Sequence, residues 1–142
     1  ELAIAVGGKI SNILKDINVN IVYPSVVTSE FTARGEINML SEGLRRAKEE
    51  NQDLVVFLDV QIFKREQTFS GKRIVEASIL IWAIDAKQKK LIFKLSEKGS
   101  QTLGHGAAES EINHALRMTT IDTAQVIGEE ASRLLRDYLS RA

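Results

Sequence analysis

The sequence contains no cysteine, and this absence excludes several kinds of chemistry at once. Without a thiol there is no disulfide framework, no thiolate nucleophile and no thiolate metal site. Histidine is scarce too, with only His105 and His114 in 142 residues. Their spacing does not place two ligands on one helix face, and Glu111 with His114 forms one isolated i, i+3 pair. We therefore expect no metal site.

Proline and long apolar runs are also rare. The single proline and the lack of any repetitive or Ser/Gly-rich tract leave no linker at which to divide the chain. The longest apolar run, Ile79–Ile84, is strand-sized and far short of the roughly 20 residues that a spanning helix needs. We expect a single domain over residues 1–142 with one core and no spanning helix.

The chain has no excess of positive or negative charge, because 19 basic residues balance 19 acidic ones. Such a chain has no global field that would gather polyanions, so nucleic-acid binding would need a local patch. The basic residues with aromatic residues among them, from Lys64 to Lys94, offer one. Phe93, however, shares its strand parity with Leu91 and Leu95, which favours the core over a base-stacking platform. We expect no nucleic-acid partner.

Apolar periodicity predicts three helices. Residues 2–16 repeat apolar side chains at spacings of three and four, although Gly7 and Gly8 weaken a helix there. The alternative makes "ELAIAV" a strand and starts the helix at Gly8. A second stripe runs through Ile37, Leu40, Leu44 and Ala47, and a third from about Ala107 to Ser140 predicts one helix about 50 Å long.

Strand patterns occupy the rest of the chain. "NVNIVYPSVV" is rich in β-branched residues, and Pro24 places it near a sheet edge. Leu54–Phe63 begins as a continuous apolar run, and two further runs flank the turn Ala86–Lys90, which Asp85 caps. We therefore predict an α+β fold: a mostly antiparallel sheet with two shorter helices and one long C-terminal helix, all on one face.

The motif "GHGAAE", Gly104–Glu109, has the two glycines of a dinucleotide-binding turn but lacks the third. Glu109 stands in that place, and its carboxylate would repel a pyrophosphate. We therefore expect no cofactor. An alternative that stays open is a small-ligand or anion site at the free N–H groups of this loop, with His105 assisting.

Three carboxylates stand out by context, namely Asp59, Glu76 and Asp85. A carboxylate pair across a cleft could perform acid/base chemistry. No nucleophile elbow, P-loop or partnered histidine completes a catalytic set, so no catalytic residue is assigned. The sequence predicts a protein that is not an enzyme.

The run "DLVVFLDVQIF", then "IVEASILIWAIDAKQKKLIFKLSEKGS", then a small-residue loop and a long helix resembles a group of bacterial cell-envelope domains. The group comprises the amino-terminal domain of TolB, the periplasmic domain of the curli channel subunit CsgG, and the lipoproteins LpoB and PelC. Its strand ending in Asp, its turn and its strand running to Gly-Ser match Asp85, Ala86–Lys90 and Gly99-Ser100. The usual Thr-Gly of that turn is replaced by Lys87-Gln88.

The resemblance implies a non-enzymatic scaffold or assembly domain associated with secretion or wall synthesis. It implies a periplasmic location, protein partners of the envelope, a homo-oligomer or ring, and membrane attachment only through a lipid anchor upstream of Glu1. No catalytic residue carries over. We expect partner binding at the basic turn, through Lys87, Lys89 and Lys90, and at the loop around His105.

Overall fold

A computed structural model describes residues 2–17, 20–22, 35–66 and 69–141. Three helices and four strands follow one another along the chain. In order they are α1 (Leu2–Leu14), β1 (Asn20–Val22), α2 (Gly35–Glu50), β2 (Leu54–Glu66), β3 (Arg73–Asp85), β4 (Lys90–Leu103) and α3 (Glu109–Arg141). The predicted α+β class is confirmed.

The four strands form one sheet in the order β1-β2-β3-β4. β2, β3 and β4 pair antiparallel over almost their whole length, whereas the short β1 pairs parallel with the start of β2. The edge strand predicted from "NVNIVYPSVV" is thus present at Asn20–Val22. Its Pro24 lies outside the described residues.

One face of the sheet packs against α1 and α3. Val6 and Ile10 of α1 are fully buried against Ile79 and Ile81 of β3, which lie two positions apart on one side of the pleat. The helix predicted over residues 2–16 is confirmed as Leu2–Leu14, and the strand alternative is wrong. A Cβ at Gly8 would meet nothing within 4 Å, so this glycine lies at an open position of the helix.

α2 packs on the opposite face of the sheet, so the prediction that all helices share one face is wrong. Leu44 and Ala47 of α2 contact a second cluster around Phe57 and Trp82, whose side chains project away from the first cluster. The early apolar positions of β2, Leu54 to Val60, are buried on both faces for this reason. The sheet is a central layer between two helical layers at this end.

α3 crosses the sheet and extends 33 residues. Its buried face includes Thr120 and Thr123, whose hydroxyls donate to the carbonyls of Leu116 and Thr119 at 2.6 and 2.7 Å. Gly99 of β4 lies directly beneath, and a Cβ there would overlap the Thr123 Oγ1. The glycine therefore permits the close approach of helix and strand.

A β-bulge in β4 shifts the pairing with β3 between Ala83 and Ile84. Ala83 pairs with Phe93 but Ile84 pairs with Leu91, so one residue of β4 is left over. Phe93 and Leu95 consequently pack with the α1/α3 cluster, whereas Leu91 packs with the α2 cluster. The prediction that Leu91 shares a face with Phe93 is wrong because a bulge reverses strand parity.

Candidate contact surface at the tip of the β3–β4 hairpin

The turn between β3 and β4 is held in a defined shape by the end of β3. The Asp85 carboxylate accepts a hydrogen bond at 2.9 Å from the backbone N–H of Gln88, which confirms its predicted capping role. Lys89 adopts the left-handed conformation at φ 56°, and the Ala86 N–H donates to the Asp53 carbonyl at 2.8 Å. The turn is thus fastened to the loop that precedes β2.

The end of α3 lies against the same turn. The Tyr138 hydroxyl donates to the second Asp85 carboxylate oxygen at 2.5 Å, and this bond raises the pKa of Tyr138 to about 12. The Lys90 ammonium lies 5.4 Å from the centre of the Tyr138 ring. Asp85, Tyr138 and Lys90 therefore form one cluster that joins the turn to the final helical turns.

The end of α2 completes this region. The Gln52 N–H donates to the Ala47 carbonyl at 2.8 Å and the Asn51 N–H to the Lys48 carbonyl at 3.4 Å, with Asn51 left-handed at φ 54°. These two bonds form a Schellman motif, which satisfies carbonyls that would otherwise end the helix unpaired. Asn51 and Gln52 are thereby held next to Ala86 and Lys87 of the turn.

Two clefts open on either side of these segments. We call the first the acidic cleft; it has a volume of about 620 Å³ and is lined by Asp16, Asp53, Asp85 and Tyr138 among others. We call the second the basic cleft; it has a volume of about 500 Å³ and is lined by Leu44, Ala47, Lys48, Asn51, Gln52, Asp53, Ala86, Lys87 and Lys89. Asn51, Gln52, Asp53 and Lys87 line both clefts and form the wall between them.

Half of the basic residues that the structure describes have a carboxylate or an aromatic ring as partner, and the lysines of the basic cleft do not. Seven basic residues of the described chain form ion pairs: Arg45, Arg46, Lys64, Arg65, Arg73, Arg133 and Arg141. Lys90 and Lys94 lie over aromatic rings. Lys48, Lys87 and Lys89 are exposed and have no carboxylate or ring partner among the described residues. Their charge remains available to a ligand.

The four residues predicted for partner binding do not form one surface. Lys87 and Lys89 line the basic cleft, Lys90 lies over the Tyr138 ring, and His105 lies beyond the other end of β4. The 14 residues of β4 separate the two ends by about 40 Å. Each end must therefore be considered as a separate candidate contact region.

The loop around His105 is braced by neighbouring residues. A Cβ at Gly71, which has φ +65°, would overlap the His105 Nδ1, so this ring covers the β2–β3 turn. Glu109 at the start of α3 lies 3.4 Å from the Lys64 ammonium, which also donates to Asn113 at 2.7 Å. The acidic first turn of α3 disfavours an anion at the Gly104–Glu109 loop. No observation among the described residues favours that alternative site.

The three candidate carboxylates are far apart. Asp59 pairs with Leu80 across the sheet, five positions along β3 from Asp85 and four from Glu76, or about 13 to 17 Å at strand spacing. Glu76 forms an ion pair with Arg65. Asp59 is 3% exposed, its Oδ1 has no hydrogen-bond partner, and burial raises the pKa of its carboxyl. No two of these three carboxylates face each other across a cleft.

Several residues of this region were not selected from the sequence. Lys48, Asn51 and Gln52 belong to the polar segment that ends α2, and Asn followed by a strand is a recognisable helix-stop signal. Their position next to Ala86 depends on tertiary packing. Tyr138 follows the helical periodicity of the last helix, and its bond to Asp85 has no sequence signature.

Within the ranges described, no helix is both long enough and apolar enough to cross a bilayer. Within the same ranges, no three His, Asp or Glu side chains are grouped so that they could hold a metal ion.

Comparison with known proteins shows the fold. No family model matches the sequence, and no curated protein matches it. A minor lipoprotein from Acinetobacter baumannii matches with a TM-score of 0.52 at 11% identity over 81% of this chain and 91% of its own. At this identity the likeness shows the fold alone, which this chain shares with that bacterial lipoprotein.

Two other solved structures have lower TM-scores. Rare lipoprotein B from Shewanella oneidensis has a TM-score of 0.44 at 10% identity over 87% of this chain and 94% of its own. The PelC dodecamer from Paraburkholderia phytofirmans has a TM-score of 0.38 at 15% identity over 86% of this chain and 74% of its own. The resemblance to envelope lipoproteins is confirmed at the level of fold. The likeness to TolB and CsgG stays a prediction.

Proposed function

We propose that this chain is a non-enzymatic assembly module of the bacterial cell envelope, which binds protein partners through the tip of its β3–β4 hairpin. The observation that carries the proposal is the arrangement at the tip. The turn is fastened to the loop before β2 and to the end of α3, and it separates two clefts. A rigid, charged surface of this kind suits recognition of another protein.

The arrangement of the titratable groups supports the proposal that the chain is not an enzyme. Asp59, Glu76 and Asp85 lie too far apart to act on one substrate, and Asp85 is engaged by Gln88 and Tyr138. The fold shared with the A. baumannii lipoprotein supports an envelope location. We therefore propose a location on the periplasmic side of the envelope, with attachment to the membrane through a lipid anchor.

Site-specific photo-crosslinking in cells of the source bacterium tests the proposal. A photoreactive amino acid replaces Gln88 at the tip, and the same replacement at Gln101, also exposed and on β4, is the matched control. We expect adducts with a defined envelope protein from position 88, their loss on adding Lys87→Glu and Lys89→Glu, and none from position 101. A tip that forms no adduct while the protein is folded and exported would refute the proposal.

Self-association is a separate part of the proposal. Light scattering of the purified chain compares the native protein with a triple reversal of Lys87, Lys89 and Lys90 to Glu. A triple reversal of Lys9, Lys72 and Lys98 is the control of equal charge change. We expect a larger native assembly that only the tip reversal dissociates, whereas a strict monomer at high concentration would remove the homo-oligomer.

A further inference from the structure

We infer that the basic cleft binds an acidic peptide segment of the partner protein. This inference rests on the proposed function, because it names the partner chemistry at the same tip. The occupant is a short extended stretch of chain that carries carboxylates. Four features of the cleft support this inference. They are lysines without carboxylate partners, helix-end carbonyls of α2 that already accept hydrogen bonds, an apolar floor, and the amide side chains of Asn51 and Gln52.

Charge complementarity is the first feature. Lys48, Lys87 and Lys89 reach the cleft from α2 and from the turn, and none of them has a carboxylate partner among the described residues. Asp53 is the single carboxylate in the lining, so the lining has a net charge of about +2. Such a surface attracts a ligand with two or more carboxylates.

The end of α2 is the second feature. The negative end of a helix dipole normally repels anions, and it does so through carbonyl groups that lack donors. Here the carbonyls of Ala47 and Lys48 already accept the N–H groups of Gln52 and Asn51. The Schellman motif therefore reduces the repulsion between the end of α2 and an anion in the cleft that the three lysines line.

The floor and the amides distinguish a peptide from a simple anion. Leu44 and Ala86, which are both partly exposed, offer an apolar floor, which a free phosphate would leave uncovered. Asn51 and Gln52 each carry a donor and an acceptor, the combination that pairs with a peptide backbone. A volume of about 500 Å³ lies in the range of pockets for small ligands and short side-chain groups.

Nuclear magnetic resonance titration of the whole chain tests the inference. The probes are octapeptides with leucine at fixed positions and zero to four glutamates, with glutamine in the remaining places. We expect saturable amide shifts at Asn51, Gln52, Ala86 and Lys89, with affinity rising with the number of glutamates and falling as salt is added. No saturable shift at these amides with any peptide would overturn the inference.

Charge-reversal variants test whether the peptides bind in the basic cleft. Lys48→Glu and Lys87→Glu should each weaken binding of the four-glutamate peptide by about tenfold, and together by about a hundredfold. Lys98→Glu, which reverses an exposed lysine on β4 outside the cleft, should leave binding unchanged. Equal loss in all three variants would contradict a site in this cleft. The dispersion of the amide spectrum shows independently whether each variant is folded.

Two further probes test whether the cleft binds other anions instead of an acidic peptide. Inorganic phosphate and vesicles containing an anionic phospholipid are titrated in the same way, and we expect no saturable shift in the cleft with either. Binding of either one in preference to the peptides would overturn the inference. Peptide binding without any crosslink at Gln88 in cells would contradict only the envelope function, whereas crosslinks without peptide binding would contradict only the peptide ligand.

Discussion

Tyr138 near the end of α3 donates its hydroxyl hydrogen to the carboxylate of Asp85, 53 positions earlier at the end of β3. The bond joins the last helix to the hairpin turn, although the whole of β4 and the following loop lie between them in the sequence. It lies at the border of the acidic cleft, so the stability of the fold and the shape of the tip depend on the same contact.

Replacing Tyr138 with Phe removes this hydrogen bond and retains the ring. Because the acceptor is charged but the site is partly exposed, we expect a loss of about 1 kcal/mol in the free energy of unfolding, measured by urea denaturation. Asp85→Asn in the Tyr138→Phe background should add less than Asp85→Asn alone, since the bond is already gone. Full additivity would show that the two side chains do not interact.

Titration of Tyr138 provides a second measurement of the same bond. The pKa of about 12 in the folded chain exceeds the ordinary value of 10.0 because Asp85 stabilises the neutral phenol. Because the pKa of Tyr138 is higher in the folded state, the hydrogen bond stabilises the fold only while the phenol is protonated. Its stabilisation is fully present below pH 10 and is lost as the pH rises through 12.

Phenolate absorbance of a Tyr23→Phe variant isolates Tyr138, since the sequence has two tyrosines. We expect its midpoint near 12, and a midpoint closer to 10 when Asp85 is replaced by Asn. A midpoint at 10 in both chains would show that the hydrogen bond is absent in solution.

Gly99→Ala places a Cβ against the Thr123 hydroxyl. Overpacking of this kind typically costs about 1 to 3 kcal/mol, so the free energy of unfolding should fall by that amount in denaturant titrations. Gly104→Ala is the control, because a Cβ there meets nothing within 4 Å. Adding Thr123→Ala to Gly99→Ala should recover part of the loss, and no recovery would mean that the helix does not approach the strand at this point.

Asp59 is a buried carboxyl whose pKa is raised by burial. Above its folded-state pKa the ionised form destabilises the fold, and as the pH falls through that value the folded state takes up a proton first and gains stability. Asp59→Asn should therefore be about 1 to 2 kcal/mol more stable than the native chain at pH 7. The difference should shrink towards acid pH in chemical denaturation.

The control for this prediction is Glu76→Gln, which alters a carboxylate of β3 that already pairs with Arg65. It should give no stabilisation at pH 7. An Asp59→Asn chain less stable than the native one at neutral pH would show that the carboxylate has a favourable partner in solution.

Sequence periodicity predicted the helices and the hairpin because each depends on which side chains must be buried. In α1, burial of Val6 and Ile10 outweighs the cost of the glycine pair, and Gly8 lies where no packing is lost. The face on which each helix packs was not predictable in the same way. Both faces of β2 and β3 are apolar at one end, and only the chain path decides that α2 takes the second face.

Neither the bulge nor the clefts could be predicted from the sequence, and the reasons differ. One extra residue in β4 moves Leu91 to the other face, and no residue type in "KLIFK" marks it. The basic cleft joins the end of α2 to a turn 35 or more positions later, so its lining exists only after folding. The turn lysines were recognised from the sequence, while Lys48 and Asn51 required the structure.

The length of α3 has a mechanical consequence. Its first turn is tied to β2 through Glu109 and Lys64, and its last turns are tied to β3 through Tyr138 and Asp85. A helix of 33 residues fixed at both ends behaves as a strut about 50 Å long. Two proteins bound at opposite ends of the domain would thus be held at a fixed distance from each other.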